Sequence, residues 1–341
     1  MTGHDRVLSV LEGRRVDRLP LLPILHSGLA GLCGIRLGEY FTDAATMARV
    51  AVEGCRRFGF DGVQLSLGVT GEAESLGAKV DQPPDGGPVL RQHLLADLSN
   101  LDKLRPRDAA CRGRMPLFLD ALKRIRNQAG ASLFSLATLR GPLNITAQLR
   151  GVEDTLVDMI ESPEQISRVL DFATDVAIAA SEVTLSASTD GVIFGEATCS
   201  PNFFSPDFYR RLVLPRHVRL VQALRLMGWK VIGFHVCGNI LPILDDLIST
   251  GADLIDVDYQ VPAGKAIELA GGRVTLRGNL DPSSVFRFGD VAKVRTQTLD
   301  LCQAVSDARW ILSSGCDIPP GTPAENLQAF AEAARGASAG P

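Results

Sequence analysis

Charge of one sign is not in surplus: 35 Lys and Arg face 39 Asp and Glu in 341 residues, a formal net charge of −4. A phosphate backbone calls for a basic excess, so no nucleic acid partner is expected. Long apolar runs are lacking as well. None reaches the ~20 residues that span a bilayer, so no membrane association is expected. The first residues, Met1-Thr2-Gly3-His4-Asp5-Arg6, are charged and amphipathic rather than the basic start and apolar core of a secretory leader, which points to a cytoplasmic protein. Seven Cys is an odd number scattered along the chain, which argues against a disulfide framework and leaves thiols free for metal. A dinucleotide-binding Gly turn is missing too, because Leu25-His26-Ser27-Gly28-Leu29-Ala30-Gly31 lacks its spacing. No fixed-period repeat is present.

What is present is an alternation of apolar runs with amphipathic stretches. Val7, Leu8 and Leu11 have helical spacing and stop at Gly13, predicting an N-terminal helix within residues 1–18. An apolar run follows at Leu19–Leu25, weakened as a strand by Pro20 and Pro23. Others lie at Asp61–Leu67, Ser132–Thr138, Asp190–Glu196, Lys230–His235, Asp253–Val257, Arg273–Gly278 and Arg309–Ser314. Helical stretches separate them, among them Ala44–Phe58, Leu117–Asn127 and Asp207–Met227, the last with a kink expected at Pro215. Thr322-Pro323-Ala324-Glu325 has the pattern of a capping box opening a final helix. Eight strands, each followed by helix, predict an α/β fold: one (β/α)8 TIM barrel over residues 1–341. A Pro-, Gly- and charge-rich insertion near 80–117 is expected over its mouth or side, and residues 336–341 form a small flexible tail.

One stretch concentrates chemistry. The run Lys230–His235 ends in His235-Val236-Cys237-Gly238, and strand side chains alternate with period two, so His235 and Cys237 point to one side. The run Arg309–Ser314 stops at Gly315-Cys316. In a parallel barrel both strand ends lie on the C-terminal face, where barrel enzymes hold their sites, so the three residues can converge. Two thiolates and an imidazole suit Zn²⁺, and three ligands with one open position are a catalytic pattern. Glu196, at the end of its run, is a candidate fourth ligand or base. His26 is a candidate for substrate contact, whereas His93 and His217 read as surface or helix residues. A zinc on these three residues carries no net charge, lowers the pKa of a bound thiol or hydroxyl and leaves its anion nucleophilic, which is alkyl-transfer chemistry.

Several motifs carry a resemblance over nearly the whole chain. These are Arg6-Val7-Leu8 with Asp17-Arg18-Leu19-Pro20, Glu72-Ala73-Glu74-Ser75-Leu76-Gly77-Ala78-Lys79, Gly141-Pro142, Ser205-Pro206, His235-Val236-Cys237-Gly238, Gly278-Asn279-Leu280-Asp281-Pro282 and Gly315-Cys316-Asp317-Ile318-Pro319-Pro320-Gly321-Thr322-Pro323. Together they resemble the uroporphyrinogen decarboxylase superfamily, and within it the zinc-dependent corrinoid methyltransferases. The resemblance implies Zn²⁺ on His235, Cys237 and Cys316 and a methyl group moving between a small O-, N- or S-methyl compound, or a thiol, and the cobalt of a corrinoid (cobalamin). A full barrel leaves no room for a corrinoid domain, so the corrinoid is expected free or on a separate corrinoid-binding protein. The chain departs from many relatives in having Glu196-Ala197 where they have Asp-Pro. Asn279 and Asp281 match the superfamily's Asn-Leu-Asp-Pro turn, as substrate contacts or as turn-formers. True decarboxylases of this superfamily need arginines near the first strand, and Leu21–Gly28 has none, which disfavours a porphyrinogen. The alternatives are a metal-free decarboxylase and a non-catalytic corrinoid- or metal-binding accessory protein.

Overall fold

The computed structural model describes residues 1–337. Among these, seven parallel strands form one curled sheet: β1 (Gly62–Ser66), β4 (Phe134–Arg140), β5 (Gly191–Gly195), β6 (Val231–His235), β7 (Leu254–Asp256), β8 (Thr275–Leu280) and β9 (Trp310–Ser314), in that order. β2 (Val80–Asp81) and β3 (Val89–Leu90) make a separate antiparallel hairpin inside the expected insertion. The eighth stave is the Leu19–Leu25 run, which bridges the two ends of the sheet without becoming a regular strand. Leu312 N donates to Pro20 O at 2.8 Å, Leu22 N donates to Leu312 O at 3.0 Å, and Asp61 N donates to Leu21 O at 2.8 Å. Pro20 and Pro23 have no N–H to offer, so the ladder cannot continue.

The strands' alternation splits the barrel interior into two levels. The lower level is apolar: Leu22, Phe134, Leu136, Ile193, Val231, Leu254 and Ile311 pack around Val7, Val10 and Leu11. These three belong to the helix Gly3–Leu11, which plugs the floor and is started by a capping box between Thr2 and Asp5. Burying side chains of this size stabilises by about 1.5–3 kcal/mol each. The motif residues Arg6, Asp17 and Arg18 fasten this plug from outside. Arg6 donates to Asp17, and Arg6 and Arg18 both donate to buried Asp61, whose Oδ2 also accepts Leu21 N at 2.7 Å.

The upper level is polar. Register pairs Arg140 with Gly195, Gly195 with His235, His235 with Asp256 and Asp256 with Arg277, so one ring of neighbours carries the ionisable groups.

Two helical expectations need adjusting. Pro206–Met227 is helical and ends at Gly228 in the left-handed region, φ 96°. Its turn Tyr209–Val213 is wound as a π-helix just before Pro215, and this wider turn accommodates the ring. The last helix, Ala324–Gly336, has no capping box, because the Thr322 hydroxyl donates to Pro319 O at 2.8 Å instead. The insertion lies against the barrel's side, where Leu95 N donates to Leu149 O and Arg150 reaches Leu95 O and Ala96 O. Of the expected tail, Gly336 closes the last helix, and residues 338–341 lie outside the described residues.

Candidate metal centre

Hydrophobic β6 is buried until its last residue, His235, whose ring emerges at the C-terminal mouth. Gly238 turns the chain in the left-handed region, φ 83°, which only Gly adopts without strain. Its N–H donates to Asp258 Oδ2 at 3.0 Å, fixing the loop that carries Cys237. Across the barrel Gly315 packs so closely on Tyr259 N that a Cβ would collide, and this brings Cys316 inward.

The three donors meet. Cys237 Sγ lies 3.5 Å from His235 Nε2 and 3.8 Å from Cys316 Sγ, and Cys316 Sγ lies 3.6 Å from the same nitrogen. A tetrahedral zinc with Zn–S of about 2.3 Å and Zn–N of about 2.0–2.1 Å holds sulfurs about 3.8 Å apart and each about 3.6 Å from the nitrogen. The donor set fits that ion in chemistry and in spacing. Among the described residues this is the one group of three or more His, Cys, Asp or Glu gathered closely enough for a metal.

Behind the donors lies a chain of charge-assisted bonds. His235 Nδ1 donates to Asp256 Oδ2 at 2.9 Å, which leaves Nε2 turned to the sulfurs. Arg277, fully buried, donates Nε and Nη2 to the two oxygens of Asp256 at 2.7 Å each, and Nη1 to Gln64 Oε1 at 2.7 Å. Gln64 Nε2 donates to Thr138 Oγ1 at 2.8 Å. Burial works against a charged His235, yet the bond to Asp256 and the contact with Cys316 prevail and push the imidazole up to about 10. The contact between the sulfurs lowers the Cys237 thiol, while the same contact and burial raise that of Cys316. Protons shared in this way are what a divalent cation displaces on binding.

The donors open into a cavity of about 190 Å³ whose wall includes His26, Ser66, Val69, Arg140, Ala197 and Asp317. His26, the candidate for substrate contact, is in the wall of this cavity. Its backbone N donates to Asp317 Oδ1 at 3.2 Å, its Nδ1 lies 3.4 Å from Asp317 Oδ2, and its Nε2 is buried with no partner.

Glu196 is not brought to the three donors. Gly195 faces the cavity, so its neighbour Glu196 turns the other way, as Phe194 does. Its carboxylate sits at the N-terminus of the helix Pro142–Arg150, accepting from Leu143 N at 3.1 Å and Asn144 N at 2.7 Å, where helix dipole and free N–H groups favour an anion. It also accepts from His217 Nε2 at 2.8 Å. A Cβ on Gly141 would strike this carboxylate, which gives the Gly141-Pro142 motif its physical reason. His217, read from sequence as a surface or helix residue, is fully buried and stacks on Phe234. Asn279 donates to Val261 O at 2.7 Å and Asp258 O at 3.3 Å, and Asp281 accepts from Ser283 N and Ser284 N at 2.8 Å each. Both shape their loops, and neither lines the cavity.

Sequence reasoning missed Asp256, Arg277 and Arg140. For Arg140 the signal was parity: it is two residues beyond Thr138, where the strand was expected to stop, and so shares its face. Strand β4 runs on to Arg140, so the arginine lacking on the first stave is supplied to the cavity from another.

Similar proteins agree with this architecture. The profile of the uroporphyrinogen decarboxylase (URO-D) family matches residues 2–337. A methylcobamide:CoM methyltransferase, MtaA, of Methanosarcina barkeri is 26% identical, covering 97% of both chains. A uroporphyrinogen decarboxylase of Streptomyces avermitilis is 25% identical over 88% of this chain and 83% of its own. A solved methyltransferase from Methanosarcina mazei superposes with a TM-score of 0.90 at 26% identity, covering 98% of each chain. Barrel, motifs and profile coincide from end to end, and the chain belongs to the uroporphyrinogen decarboxylase family.

Proposed function

We propose that this chain is a zinc-dependent methyltransferase that moves a methyl group between a small O-, N- or S-methyl compound, or a thiol, and the cobalt of a corrinoid. The observation that carries the reading is the spacing of His235, Cys237 and Cys316 at the barrel mouth. Methyltransferases among the relatives supply the reaction class. Bound zinc would lower the pKa of a thiol or hydroxyl placed beside it, or of a leaving group of that kind, without quenching the anion's nucleophilicity.

The chain's own residues do the rest. Asp256 holds His235 in one tautomer with Nε2 forward, and Arg277 keeps Asp256 ionised in a buried place. The apolar lower level, filled by Val7, Val10 and Leu11, lies beneath them. In this reading Glu196 is a positioning residue, anchoring the helix after β4 and His217, and Asn279 and Asp281 hold the loop after β8. The corrinoid comes free or on a separate protein. That partner would meet exposed apolar side chains on loops following strand ends, such as Val69, Phe203 and Tyr259.

The test is metal content by mass spectrometry beside methyl transfer to or from free cobalamin, followed by its absorbance. The wild type is expected to hold about one zinc per chain and to transfer. Cys237→Ser and Cys316→Ser, with intact circular dichroism, are expected to lose the metal and about 100-fold or more of the rate, beyond the usual effect of a residue behind the ligands. Full activity in either variant would sink the reading. A decarboxylase for a small acid is the second reading, favoured by Arg140 in the cavity, and it makes the three donors dispensable: carbon dioxide release by metal-free protein would establish it.

A further inference from the structure

A separate cleft, about 290 Å³ in volume, lies at the end of the barrel away from the metal donors, between the segment 13–19 and the turn 306–309 that leads into β9. Three arginines border it: Arg14, Arg15 and Arg309. Arg309 precedes β9 and Cys316 follows it, so a strand's length, roughly 20 Å, lies between this cleft and the donors. Methyl transfer at the mouth gives the cleft no role, and on this face of a barrel side chains ordinarily serve stability.

Arg309 is firmly placed but not satisfied. Its Nη1 donates to Gly272 O at 2.9 Å, and its Nη2 donates to Leu11 O at 2.6 Å and Thr275 Oγ1 at 3.3 Å. The end of the N-terminal helix and the approach to β8 thus fix the guanidinium plane. The remaining donor, Nε, is buried with no partner, which is unfavourable unless something else accepts from it. Gly13 leaves it open: with φ 71° and no side chain, Gly13 spares Nε a Cβ that would sit only 3.7 Å away. Charge is not balanced either. Among the described residues no carboxylate lies within ion-pair distance of Arg15 or Arg309, and Arg14 pairs with exposed Glu12. Asp307, the one carboxylate in the wall, pairs with none of the three. Glu12 and Asp307 set against three guanidiniums leave one positive charge.

We infer that this cleft binds a small organic anion by its phosphate or carboxylate head, with Arg309 Nε and Arg15 as donors and apolar Val10 and Leu19 against its body. Guanidinium N–H groups match the oxygens of either head. The volume of about 290 Å³ stands at the lower edge of the roughly 300–1,000 Å³ of small-molecule sites, which suits a compact ligand rather than a polymer. Position gives the ligand an effect. Arg15 stands just before the Leu19–Leu25 stave and Arg309 just before β9, so an anion held by both ties the two sides of the irregular closure where Leu22 N donates to Leu312 O and Leu312 N to Pro20 O. The inference is independent of the methyl-transfer reading, since no metal donor and no residue of the mouth takes part.

The experiment follows thermal unfolding of the full chain with glycerol 3-phosphate, succinate or neutral glycerol, at fixed ionic strength so that general screening is constant. At least one acid is expected to give a saturable rise in Tm, about 4 °C at a hundredfold excess over Kd for a chain of this size, and glycerol none. The phosphate and carboxylate arms tell which head is taken. Arg15 is exposed and its side chain makes no hydrogen bond among the described residues, so Arg15→Met is expected to keep the starting Tm and the zinc content. It raises the apparent Kd at least about tenfold, the range of a hydrogen bond to a charged group. Arg309→Lys, which removes Nε, does the same from a lower starting Tm. Arg140→Met, altered in the mouth cavity, keeps the full response. Amide exchange at Leu22 and Leu312 is expected to slow with the bound acid. A rise that survives in Arg15→Met, or that is lost in Arg140→Met, puts the anion elsewhere and overturns the site. No rise with either acid, or an equal rise with glycerol, overturns it as well.

Discussion

His235 presents one nitrogen to the sulfurs because Asp256 holds the other. Asp256→Asn removes that charge from both His235 and Arg277. Zinc affinity, measured by competition with a chromophoric chelator, is expected to fall about 10–100-fold, and stability in urea by about 3 kcal/mol, as for a broken buried ion pair. Glu196→Gln separates two roles of one carboxylate. If it holds the helix after β4, the variant keeps its zinc and loses about 1–3 kcal/mol of stability through the weakened bonds to Asn144 N and His217; loss of zinc would instead make Glu196 a ligand. How much could be read beforehand also divides residue by residue. His235, Cys237 and Cys316 were legible because alternation and strand-end position fix a side chain's direction without knowledge of its neighbours. Glu196 was misplaced by neglect of the same alternation, since it follows an inward Gly195. Arg140 was hidden by a strand end set two residues short, and strand ends carry no marker as sharp as a helix cap.

The elements themselves were legible where local pattern and tertiary surroundings agree. Asp43 caps the helix Ala44–Phe58 and Gly59 closes it at φ 68°, with both ends written in the sequence. The helix through His217 shows the limit. His217, read as a surface or helix residue, is in the helix but fully buried, and the π-turn Tyr209–Val213 before it departs from the regular winding that a helical period assumes. The N-terminal helix is likewise more than an extension, because its apolar face fills the barrel floor and Arg6 ties it to Asp61. Asp61→Ala strands two arginines and Leu21 N together. The expected loss is about 3–5 kcal/mol in urea denaturation, with zinc stoichiometry in the surviving folded fraction unchanged.

At the scale of the molecule, the barrel is closed but not uniformly. Seven staves are joined to their neighbours by regular parallel ladders, whereas the stretch between β9 and β1 is held mainly by bonds at Pro20, Leu21 and Leu22. Chelator treatment is expected to lower Tm in step with the logarithm of the free zinc concentration, and amide hydrogen exchange reads where the loosening falls. Leu22 and Leu312 are expected to exchange before the amides of β5 and β6, in metal-free protein above all. Equal protection around the whole barrel would refute this. The seam has a functional address, because His26 leaves it on one side and Cys316 follows β9 on the other. Two prolines thus place the least-bonded seam of the barrel in the wall of the cavity that His26 and Cys316 line, while the other staves keep their regular ladders.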